Sequence, residues 1–115
     1  MTTTTTTTVV RYRVHNGEAD RNAELVRAVY DELHELGPSG VAYTTYRLED
    51  GTFVHVAELD SPGNLREIAA FRAFLEGLDD RCADGPVRRT AERVGSYRPG
   101  QPGHGVAEEG PQTAV

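Results

Sequence analysis

The chain has no tryptophan, a single cysteine (Cys82) and no apolar run near the ~20 residues needed to span a bilayer. One cysteine excludes an internal disulfide and a cysteine zinc site, which suits a reducing cytoplasm. Basic charge is scarce as well: 12 Lys and Arg against 18 Asp and Glu give a formal net charge of −6. No basic stripe with interleaved aromatics offsets that balance, which argues against a nucleic-acid backbone or an anionic membrane as partner. The start, MTTTTTTT, has neither the cationic nor the apolar stretch of a signal peptide. A Gly-rich phosphate loop is missing, since Gly95 and Gly100 stand alone and Gly103 and Gly105 lie in a Gly/Pro-rich tail. His15, His34 and His104 fit no metal spacing, and no Ser–His–acid or Cys–His arrangement stands out. The expectation is one cytoplasmic domain with no resident metal or other cofactor.

What the chain does have is alternation. Val41 to Leu59, VAYTTYRLEDGTFVHVAEL, holds two alternating runs that meet at Asp50-Gly51, a dipeptide suited to a two-residue hairpin turn. Such a turn pairs Leu48 with Phe53, Tyr46 with His55, Thr44 with Ala57 and Ala42 with Leu59. These residues would share one largely apolar face, with Tyr43, Thr45, Arg47, Val54, Val56 and Glu58 on the other.

Around this hairpin the periods change in order. Thr2 to Thr8 specifies no register, so disorder is expected over residues 1–7, with the folded domain at 8–98. Val9 to His15 alternates as a first strand. From Ala19 to Leu36 the period is helical, with Leu25, Val29, Leu33 and Leu36 on one stripe, and Gly37-Pro38 ends it. After the hairpin, Asn64 and Glu67 form a capping-box pattern for a helix from Leu65 to Leu78. Pro86 to Arg98 reads as a fourth strand with a bulge near Arg93-Val94, and residues 99–115 as a disordered tail.

The order strand, helix, strand, strand, helix, strand predicts an α+β ferredoxin-like βαββαβ sandwich. It has a four-stranded antiparallel sheet, two helices on one face, and strands one and three central. Val54 and Val56 then make a central strand apolar on its helix-free face. A second copy is the economical cover, so the expected partner is a homodimer joined sheet to sheet.

The segment E-L-D-S-P-G-N-L at Glu58 to Leu65, followed by Phe71 and Phe74, resembles the antibiotic biosynthesis monooxygenase-like domains of the dimeric α/β-barrel group. The likeness extends over Val9 to Tyr97 through element order and lengths. It implies two ferredoxin-like units forming a barrel, with a cavity between sheet and helices in each. Some members oxidise aromatic polyketides with molecular oxygen and no metal or flavin, others degrade haem, and others act on quinones or signalling molecules. Many members place a His where this chain has Ile68, and the first two branches use a Trp, which this chain lacks. No family-wide catalytic set therefore transfers, and haem binding is the least supported activity.

His55 and Tyr46 are the candidate catalytic pair. A neutral imidazole with a pKa near ~6.5 can accept a proton, and a phenol can orient or donate to a developing enolate. Removing an enolic proton yields the electron-rich anion that reacts with oxygen. More often such a pair simply satisfies itself in a core, because buried polar groups usually have such partners. Candidate substrate-binding residues are Tyr12 on strand one, Phe53 on strand three, Phe71 on the second helix, and Arg72 beside it for an anionic group. Tyr43 and Glu58, with Arg47, are expected at the dimer interface. Two functions follow: a cofactor-independent monooxygenase acting on a small aromatic or enolisable molecule, or a non-catalytic dimeric module that binds a small ligand or regulates a partner.

Overall fold

In the computed structural model, residues 5–61 and 64–99 are described. The elements are β1 (Thr6–Val14), α1 (Ala19–Leu36), β2 (Val41–Arg47), β3 (Thr52–Leu59), a 3-10 turn (Asn64–Glu67), α2 (Ala69–Leu75), α3 (Leu78–Arg81) and β4 (Cys82–Ala91). The strands form one antiparallel sheet in the order β2-β3-β1-β4. This is the ferredoxin-like arrangement, with β1 and β3 central as the sequence predicts. The Thr-rich start before residue 5 and the tail from residue 100, both expected to be disordered, lie outside the described residues, as do Pro62 and Gly63.

The first strand begins at Thr6, earlier than the expected domain start at residue 8. Its threonines take their register from β3, with Thr6 opposite Leu59 and Thr8 opposite Ala57. A threonine repeat carries no pattern of its own, so a neighbouring strand decides where it lies.

The hairpin differs from expectation by one residue. Leu48 and Thr52 close a three-residue loop, with Leu48 N–H donating to Thr52 O at 2.7 Å and Gly51 N–H donating to Leu48 O at 3.2 Å. Gly51 takes φ 88°, the left-handed position that a three-residue hairpin reserves for glycine. Because the side-chain period is two, this single residue turns every β2 side chain over. Tyr43 is opposite Ala57, Thr45 opposite His55, and Tyr46 opposite Val54. Tyr43 and Thr45 therefore face the helices half-buried, whereas Tyr46 is 58% exposed on the other side. The Tyr46–His55 pair does not form, and Arg47 meets Asp20 of α1 at 3.1 Å instead of facing outward.

Helix α1 has the predicted ends, and the Gly37 N–H donates to Leu33 O at 2.7 Å to close it. Its buried stripe is rotated, however: Asn22, Ala23, Val26 and Val29 are buried, and Leu36 is exposed. The expected helix over Leu65–Leu78 is broken by extended backbone at Ile68 and a left-handed Gly77. Asn64 lies within the 3-10 turn and does not cap α2. The Glu32 carboxylate of α1 does so, accepting from Ala70 N–H at 2.8 Å and from Ala69 N–H at 3.3 Å.

The last strand starts at Cys82 and ends at Ala91, not over Pro86–Arg98. Its irregularity lies at Gly85-Pro86 opposite Tyr12, where the pairing jumps from Arg13–Asp84 to Arg11–Val87. Proline cannot donate to the ladder, and Gly85 at φ 90° supplies the bend. A Cβ there would lie 2.9 Å from Arg11 O.

Both long segments of helix pack on one face of the sheet. Tyr12, Val14 and Phe53 meet Val26, Val29, Ile68 and Phe74 in a continuous core. The opposite face carries Val54 and Val56, half-buried, with Tyr46 exposed beside them.

Candidate functional site

A chain of polar groups runs through the core. Arg81 is buried, and its guanidinium has three partners: Nε–H donates to Asn22 Oδ1 at 3.1 Å, Nη2–H to Phe74 O at 2.7 Å and Nη1–H to Glu76 O at 3.2 Å. The last two are carbonyls at the C-terminal end of α2, where a cation is favoured. Phe74 also presents its ring to the guanidinium, 5.6 Å from the centroid.

Arg81 sets the direction of the remaining bonds. A guanidinium only donates, so the Asn22 atom facing it is the carbonyl, and the amide nitrogen is left to donate. Asn22 Nδ2–H donates to the Tyr12 hydroxyl at 2.9 Å. Tyr12, 1% exposed, has one other partner among the described residues, His55 Nε2 at 2.8 Å, and the assignment that leaves its hydroxyl hydrogen paired has Tyr12 donating to that nitrogen. With Nε2 accepting, the imidazole proton sits on Nδ1, which donates to the Tyr43 hydroxyl at 2.6 Å. Thr45 Oγ1 lies 3.2 Å from the same nitrogen and 2.8 Å from the Tyr30 hydroxyl. His55 is thus held as the neutral Nδ1–H tautomer.

Burial reinforces that state. Removal from water disfavours the imidazolium and brings the His55 pKa down to about 4. The same cause pushes the Tyr12 and Tyr43 phenols above their ordinary range, with the Asn22 and Thr45 side chains opposing it in part. Tyr12 and Tyr43 are therefore protonated, and His55 neutral, near neutral pH.

The polar chain ends at a cavity of about 250 Å³ between sheet and helices. Tyr12, His55, Phe71, Phe74 and Tyr43 form its aromatic part. The His55 ring lies 5.3 Å from those of Tyr12 and Phe74, and Phe71 meets Tyr43 edge-on at 6.3 Å. Val10, Ala57, Leu59 and Leu75 add aliphatic wall. A small, mostly apolar molecule with one oxygen near Tyr43 matches this lining.

Of the expected site residues, the structure brings His55, Tyr12 and Phe71 together around the cavity. It removes three others from the lining. Tyr46 is on the far face because of the register change. Phe53 is fully buried behind Tyr12, their rings stacked at 5.6 Å. Arg72 is exposed on α2, and its Nη1–H donates to the Arg66 carbonyl. Sequence reasoning missed Tyr43, Asn22 and Arg81. Asn22 was the findable one, since it stands four residues before Val26 on the stripe that is buried. Among the described residues no group of three or more His, Cys, Asp or Glu is placed to hold a metal ion. No helix among them is long and apolar enough to cross a membrane.

No protein-family model matches the sequence, and no curated protein sequence does so. Solved structures do match. A protein of Caulobacter crescentus CB15 provisionally named an antibiotic biosynthesis monooxygenase superposes with a TM-score of 0.63 at 15% identity, over 79% of this chain and 91% of that one. A similarly named protein of Chloroflexus aurantiacus gives 0.63 at 11% identity, over 83% and 98%. A Nitrosomonas europaea protein of unknown function gives 0.63 at 15% identity, over 84% and 96%. The chain shares the ferredoxin-like α+β fold of these neighbours, along nearly their whole length.

Proposed function

We propose that the chain binds a small aromatic or enolisable molecule in the cavity and oxidises it with molecular oxygen, without a resident cofactor. The observation that carries this reading is the run of hydrogen bonds from Arg81 to Tyr43, all donating in one direction and ending on an apolar cavity. Tyr43 accepts from His55, which strengthens its own O–H as a donor. A donor aimed into a water-poor cavity stabilises an enolate or phenolate oxygen as charge develops there. The proton released on enolisation leaves to solvent. The carbanion-like carbon is then oxidised: a methylene becomes a carbonyl, one atom of molecular oxygen stays on the carbon, and the second leaves as water with the remaining hydrogen and one proton taken back from solvent. The names carried by the neighbouring structures support the same reaction class.

A second reading, binding without turnover, is favoured by one observation. His55 has both ring nitrogens engaged and a pKa near 4, so the unliganded site offers no free base. Oxygen uptake with anthrones and hydroquinones separates the two. Turnover by the wild type that falls roughly 10²-fold in Tyr43→Phe supports the oxygenase, by the usual weight of one oxyanion donor. Binding without any uptake leaves the module reading. The working form we propose is a cytoplasmic homodimer joined through the sheet face that carries Val54 and Val56. Its support is the apolar centre of that face, Val9 beside Val56 and next to Val54, and for the compartment the lone Cys82.

A further inference from the structure

The solvent end of the cavity has a chemistry of its own. Arg66 on the 3-10 turn and Arg88 on β4 both line the cavity and both are exposed, whereas His55, Tyr12 and Phe74 form its buried end. Neither guanidinium has an ion-pair partner among the described residues, whose two salt bridges are Arg47–Asp20 and Arg93–Glu58. No Asp or Glu among the described residues lines the cavity. This is notable in a chain of net charge −6, and all 12 of its basic residues are arginines. Arginine presents a planar fork that fits a carboxylate by two hydrogen bonds at once, which lysine cannot do.

We propose that the cavity selects an anionic amphiphile: an aromatic body against Phe71, Phe74 and Leu75, and a carboxylate held at the mouth by Arg66 and Arg88. This rests on the cavity being a site for small aromatic molecules, and it adds the charge class of the ligand. The anion-binding role that the sequence reading gave to Arg72 moves to these two residues. Arg72 instead ties α2 to the 3-10 turn through the Arg66 carbonyl, which fixes the backbone that carries the Arg66 side chain.

The test uses two probes of one shape, 2-naphthoate and the uncharged 2-naphthamide, titrated into the full chain by calorimetry. The wild type is expected to bind the carboxylate more tightly, with about tenfold lost in each of Arg66→Gln and Arg88→Gln, since a hydrogen bond to a charged group is worth about that factor. The amide should bind wild type and double variant alike. Rising salt should erode the preference for the carboxylate. Equal affinity for the two probes in the wild type, or a preference that survives in the double variant, overturns the proposal and leaves the aromatic cavity standing. Failure of both probes to bind overturns the cavity reading and this proposal together.

Discussion

At the scale of single residues, the fixed point is a buried arginine with no acidic partner among the described residues. Its described hydrogen-bond acceptors are all carbonyl oxygens, and the order of donation assigned from it reaches His55 through Asn22 and Tyr12. That makes the imidazole a titration reporter. In the unfolded chain its pKa is ordinary, ~6.5; folded, it is about 4. Between those values the unfolded state binds more protons, so stability rises with pH there. The His55 contribution is complete above about pH 6.5 and is lost as pH falls toward 4, with a slope approaching ~1.4 kcal/mol per unit. Urea midpoints measured from pH 7.5 down to 4.5 should show this slope. Imidazole nitrogen shifts should report one neutral Nδ1–H form down to pH 5. Titration of the His55 ring itself near 6.5 would contradict the buried assignment.

At the scale of elements, what could and could not be read from the chain has specific physical causes. The order of elements, the ends of α1 and the central place of β1 and β3 follow from changes of period, which long stretches specify redundantly. The β2–β3 register turns on one residue, because Asp50-Gly51 serves either a two-residue loop or the end of a three-residue one. The β2 pattern did not decide between them: Ala42, Thr44 and Tyr46 are chemically close to Tyr43 and Thr45. A two-residue loop therefore points Tyr43 outward and Tyr46 inward, the reverse of their places in the sheet. The helix break at Ile68 had no local marker, since the cap that starts α2 comes from Glu32 on another helix. The start of β4 was hidden by Asp79-Asp80, which look like loop and form one turn of helix before Cys82. The bulge at Gly85 is open to a direct check. In Gly85→Ala the methyl would meet Arg11 O and the backbone would be held at positive φ, so a loss of roughly 2 kcal/mol or more is expected in denaturant unfolding. Gly17→Ala, where no atom lies within 4 Å, has only the φ cost and should lose less.

At the scale of the whole molecule, the sheet has two occupations. One face holds the core and the cavity, and the other presents Val54, Val56 and exposed Tyr46. The proposed homodimer uses the second face. Sedimentation at micromolar concentration should give twice the chain mass for the wild type, and one chain mass with unchanged far-UV dichroism for Val56→Glu. A wild-type monomer would refute the pairing. His55 sits between Val54 and Val56 on one strand, with its side chain turned to the opposite side, so the cavity opens away from the seam. In a back-to-back pair the two entrances would look outward at opposite poles, separated by both sheets. A product leaving one pocket could not be handed across to the other; it would have to diffuse through bulk water first, and each half would saturate on its own hyperbola.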